Sequence, residues 1–273
     1  MLKQSIYLTG MLIILFAFSA CEKVIEFDLK DSKEVIVIEA IINNNQLPIT
    51  VKVSKTTPYF KTHTSNPVSQ AKVSARSENG KAKYLVEISP GIYELEKTIA
   101  LPGFWYIIEV EYEGIKYSAR SFLNEPIIIE EVGLSYFDGF GVFDSGYKIN
   151  TYISDPVNIE NYYRLKYYIN GKPDDNPEEI TLYSDQHFDG KTIGLGQRTI
   201  VFKETDTVII ELQSIDKAAF DYFSTLENIL GNDVLQSASP ANPISNFSNG
   251  ALGYFSAYSF DRKTVIIKDY IRK

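Results

Sequence analysis

Apolar residues recur at every second position through most of this chain, a period that commits it to β-strands with one buried and one wet face. Ile49, Val51 and Val53 alternate with Thr50, Lys52 and Ser54, and Tyr106, Ile108, Val110 and Tyr112 share a face opposite Glu109, Glu111 and Glu113. Turn residues punctuate the runs between Glu34 and Phe122 at Asn43-Asn44-Asn45, Glu78-Asn79-Gly80, Pro90-Gly91, Pro102-Gly103 and Glu113-Gly114. About five to seven short strands so spaced predict a mainly β protein, with an immunoglobulin-like or transthyretin-like β-sandwich over 34–125.

Glu125-Pro126 reads as a boundary, because the residue before a proline is pushed to extended geometry, and Ile127-Ile128-Ile129 then predicts a new strand. The alternation resumes over 126–273, a second antiparallel β domain. Tyr163, Leu165, Tyr167 and Ile169 lie opposite Tyr162, Arg164, Lys166 and Tyr168, and Asn170-Gly171 predicts a tight hairpin turn. One segment changes period. Ile215, Ala219, Tyr222, Phe223, Leu226, Ile229 and Leu230 fall at helical spacing, which predicts one amphipathic helix near 215–230 capped by Ser214 or Asp216 and stopped at Gly231. Leu252 to Phe260 and Thr264 to Ile267 predict two closing strands.

The amino terminus is an address. Lys3 precedes an apolar stretch from Ile6 to Phe18 that is too short for a bilayer span of about 20 residues, so residues 1–20 predict a signal peptide. Ser19-Ala20-Cys21 resembles the lipobox of bacterial lipoproteins, where the Cys becomes the new terminus and carries acyl chains; 21–33 is then a lipidated tether. Two or three chains at about 0.8 kcal/mol per buried methylene hold a protein firmly on a bilayer. A net charge of -8, without a Lys/Arg-rich run, removes the footprint that nucleic-acid binding needs. One Cys and two His supply neither an internal disulfide nor a Cys/His zinc site.

Asp155-Pro156, Asn161-Tyr162-Tyr163-Arg164-Leu165, Ser184-Asp185-Gln186-His187-Phe188-Asp189-Gly190, Ala218-Ala219-Phe220-Asp221-Tyr222-Phe223 and Asn249-Gly250-Ala251-Leu252-Gly253-Tyr254-Phe255 follow one another in order. With Cys21-Glu22-Lys23-Val24-Ile25-Glu26 they resemble the Bacteroidota lipoproteins grouped as domain of unknown function 4249. The resemblance implies an outer-membrane lipoprotein, on the periplasmic or the surface leaflet, often encoded beside a TonB-dependent receptor. It implies no activity, catalytic residue or cofactor.

The residues themselves carry no catalytic motif. Ser145 lacks the strand-to-helix setting of a hydrolase nucleophile, and the glycines at 139, 141, 194 and 196 lack a phosphate loop's third glycine and helix. Asp185 and Asp189, before Gly190, resemble the start of a calcium loop, but Gly196 stands where the last carboxylate belongs, so a structural turn is the preferred reading. Glu130-Glu131 and the group Asp174, Asp175, Glu178 and Glu179 read as solvated loops rather than a glycosidase pair, and His63 and His187 as surface residues. Tyr136, Phe137, Phe140 and Phe143, interleaved with Asp and Gly, compose either a stacking surface for a partner or ligand, or loop aromatics that fill a core. The expectation is a lipid-anchored accessory protein of the outer membrane that binds a ligand or docks on a TonB-dependent receptor, without catalysis or cofactor. A surface hydrolase of glycans or peptides, or a structural subunit of an envelope assembly, are the alternatives.

Overall fold

Burial follows the alternation residue by residue: Ile36, Ile38, Ala40 and Ile42 are buried while the residues between them are not. The computed structural model describes residues 34–45, 48–57, 66–96, 100–141, 144–174, 179–231 and 242–271; the signal peptide, Cys21 and the tether lie outside them. In chain order the first half contributes β1 (Ile36–Asn43), β2 (Ile49–Lys55), β3 (Asn66–Pro67), β4 (Lys72–Ser77), β5 (Lys83–Tyr84), β6 (Val86–Ser89), β7 (Ile92–Leu95), β8 (Phe104–Tyr112) and β9 (Ile115–Leu123). The second half contributes β10 (Glu131–Phe137), β11 (Gly146–Ser154), β12 (Tyr162–Ile169), β13 (Lys172–Pro173), β14 (Thr181–Ser184), β15 (Thr192–Gly196) and β16 (Thr207–Ile215). Helix α1 (Lys217–Gly231), β17 (Leu252–Ile266) and the short helix α2 (Ile267–Ile271) complete it.

The fold is mainly β. Ten strands form one sheet in the order β13-β12-β16-β17-β1-β2-β7-β6, with β14 added on β12 and β3 on β2; β5-β4-β8-β9 and β10-β11-β15 are separate sheets. The first core joins Ile38, Val51 and Tyr93 of the large sheet to Val73, Ile108, Val110 and Ala119 of the four-stranded one, which makes the expected sandwich. Each fully buried Ile or Val there contributes roughly 1.5–3 kcal/mol. The second core joins Tyr163, Leu165, Tyr167, Ile210 and Leu212 to Ile149, Ile153 and Leu195 of the three-stranded sheet. On the other face of β12 and β16, Ala219, Tyr222 and Phe223 of α1 pack with Tyr162, Leu182 and Ile215.

The two halves share a strand. The upper part of β17 runs parallel to β1, from Val37 opposite Leu252 to Asn43 opposite Tyr258, and its lower part runs antiparallel to β16, from Ser259 opposite Ser214 to Ile266 opposite Thr207. Phe255 and Ala257 therefore belong to the first core and Val265 to the second. The sandwich expected within 34–125 draws a strand from the carboxyl end, and residues 34–273 form one compact unit. The two expected closing strands are one. Asp261, Arg262 and Lys263 read as a break, but Leu212, Glu211 and Ile210 of β16 pair straight across them.

Two other local expectations change. Ile127-Ile128-Ile129 forms no strand: the Ile129 amide is taken by Asp261 Oδ2 at 2.8 Å, and regular pairing starts only at Glu131. The helix cap is Asp216, whose Oδ1 accepts the Ala219 amide at 3.0 Å, while Ser214 stays inside β16. Asn170 and Gly171 take φ of 52° and 81°, the left-handed pair that a two-residue hairpin between β12 and β13 requires.

Candidate functional site

The antiparallel pair β10–β11, in register from Glu131 opposite Tyr152 to Phe137 opposite Gly146, carries the aromatic segment at its end. Tyr136 is 57% exposed and packs edge-on against Tyr147, ring centroids 5.1 Å apart. Phe137 is half-buried beneath the Lys148 ammonium, 4.8 Å from its ring centre. Phe140, 82% exposed, is the most exposed large apolar residue among those described. Phe143 lies outside the described residues. Tyr136 and Phe140 belong to none of the three cores; Tyr147 packs against the second.

A second cluster forms where two loops meet. Oxygen atoms of Asp155, Asp185 and Asp189 lie within 4.8 Å of one another, with Asp155 and Asp185 buried and Asp189 exposed. The sequence placed Asp185 and Asp189 together but looked downstream for a third carboxylate; it arrives from upstream, at the end of β11. Each carboxylate holds a donor of its neighbour loop. Asp155 accepts the Tyr163 hydroxyl and the Gly190 amide, Asp185 the Asn161 amide at 2.7 Å, and Asp189 the Asn158 amide at 2.8 Å. These bonds staple 155–161 to 185–190. The separation also matches oxygens arranged around one hard cation at about 2.4 Å each, so these three are the residues that could hold calcium. Burial pushes the Asp185 carboxyl up, opposed by the Asn161 amide and reinforced by the charges of Asp155, Asp189 and Glu160.

Among the described residues the other acids raised by the sequence do not converge. Glu130 and Glu131 are both exposed, and Glu179 accepts the amide of Arg198 at 3.1 Å; Asp175 and Glu178 lie outside the described residues. His187 and Ser145 are exposed, and His63 lies outside the described residues.

Asp155 and Arg164 are the chemistry-bearing residues that sequence reasoning passed over. Asp155-Pro156 was read only as a turn. Arg164 sits on the wet side of the β12 alternation, yet α1 covers that side, and its guanidinium lies 3.9 Å from the centre of the Phe223 ring. The apolar stripe of α1 was the available signal, because an amphipathic helix must lie on some sheet face and will enclose the polar residues there.

No curated protein matches the chain. Among solved structures it is similar to a two-domain fibronectin type III segment of chicken tenascin, with 14% identity, 66% of this chain and 90% of that one covered, and a TM-score of 0.22. No helix among the described residues is long and apolar enough to cross a membrane. The family model described as domain of unknown function (DUF4249) matches residues 22–264, and this chain belongs to that family.

Proposed function

We propose that the protein is a Bacteroidota lipoprotein, anchored to the outer membrane through acyl chains on Cys21, which docks on a membrane partner without catalysing a reaction. One observation carries the docking reading: Phe140 is 82% exposed at the end of the β10–β11 pair, with Tyr136, 57% exposed, nearby. Water contact with a large aromatic ring is unfavourable, and a ring presented beyond a strand pair is the kind of anchor that binding hot spots use. Anchoring raises the effective concentration of that surface near a barrel in the same membrane, so a modest contact suffices. A TonB-dependent receptor is the partner class that the family resemblance implies.

Affinity isolation from detergent-solubilised outer membranes tests the reading. The wild-type chain is expected to retain a TonB-dependent barrel, and Phe140→Ala with Tyr136→Ala to lose it. Equal retention by both chains overturns the role of the aromatic surface. Mass spectrometry that finds the mature terminus unacylated overturns the anchor.

A further inference from the structure

The Arg164 guanidinium is half-buried over the Phe223 ring, and among the described residues no carboxylate is hydrogen-bonded to it. Burial among aromatic rings pulls its pKa below the ordinary arginine value. A guanidinium has five N–H donors, and a charge withdrawn from water costs stability unless it is paired and hydrogen-bonded. Among the described residues no carboxylate forms an ion pair with Arg164, and no atom accepts a hydrogen bond from its side chain. Glu211, the buried acid on the neighbouring strand, acts on Arg164 through its charge but gives its hydrogen bonds to others: it accepts Arg262 Nε at 2.7 Å and Gln213 Nε2 at 2.6 Å. Glu39, paired in register with Tyr254, is exposed.

Arg164 and Lys166 line a cavity of about 90 Å³ with Gln213, Tyr254, Ser256 and Tyr258. Ser256 is 2% exposed and its Oγ has no hydrogen-bond partner. Burial raises the Tyr254 and Tyr258 phenols above the ordinary tyrosine value, so both stay protonated and can donate. No Asp or Glu is in the lining. The Arg164 guanidinium and three hydroxyls around this space suit a single carboxylate or phosphate group.

A larger cavity, about 420 Å³, shares Arg164 and Lys166 and adds Ile180, Leu226 and Leu230. Asp174 and Glu179 also line it, which disfavours a second negative charge there. We propose that the protein binds an amphiphile with one oxyanion head, the head on Arg164 and Ser256 and the apolar body along Ile180, Leu226 and Leu230. This site is separate from the aromatic docking surface and stands without it.

Calorimetric titration of the full chain with hexanoate, hexyl phosphate, inorganic phosphate and 1-hexanol tests it. Hexanoate and hexyl phosphate bind, inorganic phosphate binds about 10-fold or more weakly than hexyl phosphate, and hexanol does not bind. The tighter of the two amphiphiles identifies the head as a carboxylate or a phosphate monoester. Arg164→Met removes the charge and its contact with the Phe223 ring face while keeping an unbranched side chain of similar length, and weakens that amphiphile about 10- to 100-fold, the loss expected for charge-assisted hydrogen bonds. Ser256→Ala removes a hydroxyl that has no protein partner, spares the fold, and weakens binding about 3- to 10-fold. Hexanol binding as well as hexanoate, no binding by either amphiphile, or unchanged affinity in Arg164→Met overturns the proposal; should that variant not fold, unchanged affinity in Ser256→Ala does so.

Discussion

Asp216 accepts the Phe122 amide at 3.1 Å through one carboxylate oxygen and the Ala219 amide at 3.0 Å through the other. One side chain thus caps α1 and ties the last strand of the sandwich to the second half. Asn124 reinforces the same junction by donating to the Ile215 carbonyl at 2.9 Å. Replacing Asp216 with Ala removes a helix cap and leaves the Phe122 amide without its acceptor, at a combined cost of about 2–4 kcal/mol. Asp216→Ser restores only the cap and is expected to recover about 1 kcal/mol of that loss. Denaturant unfolding of both variants measures the two parts; equal stability of wild type and Asp216→Ala contradicts the junction.

Gly253 sits where β17 meets β1, at φ of 95°, and a Cβ there would lie 2.1 Å from the Ile38 carbonyl oxygen. Neither the backbone angle nor the contact tolerates a side chain. Gly253→Ala is expected to cost about 3 kcal/mol or more, because the strand must shift away from β1 to accept the methyl group. Equilibrium unfolding reads this directly. A loss below about 1 kcal/mol means that the parallel pairing at this point is not as tight as described.

Phe140 belongs to none of the three cores. Phe140→Ala is expected to leave folding stability within about 0.5 kcal/mol of wild type while weakening capture of the membrane partner. A melting point that drops by many degrees places the ring in the core instead and removes it from the docking surface.

Asp185 makes stability depend on pH. Its carboxyl is raised in the fold above the ordinary 3.8, by burial first and then by the nearby acids. The folded state therefore binds the proton more tightly than the unfolded chain. The stability this contributes is complete below 3.8 and is lost as pH rises through the native value. Asp185→Asn keeps an acceptor for the Asn161 amide and abolishes the titration, so its melting temperature gains on wild type as pH rises from about 4 to 7. Melting curves recorded in EDTA check this, since a bound divalent cation would flatten the wild-type profile in the same way. Parallel profiles for the two chains reject it.

Strands were legible because alternation is a local property. Ile108, Val110 and their neighbours announce which side is buried, and Asn170-Gly171 announces a turn whose backbone angles few other pairs adopt. The helix was legible for the same reason, down to Asp216 as one of two candidate caps. The junction at Glu125-Pro126 was not, because the side chains that bind across it, Asp216 and Asp261, lie some 90 to 135 residues away in sequence. At the acidic staple, Asp185 and Asp189 were visible as neighbours, while Asp155 needed β11 and β12 to return their ends to the same place. Arg164 was assigned to the wet side because alternation separates two faces and says nothing about what covers the second.

The amino-acid sequence alone therefore determined the strand period, most turns and the helix, since each depends on residues a few positions apart. Tertiary structure alone decided that Leu252–Ile266 would serve both halves, that Asp155 would join Asp185, and that Arg164 would be roofed by Phe223. Strand partners are chosen by the mutual burial of faces far apart along the chain, and no local pattern encodes which of several compatible faces will meet.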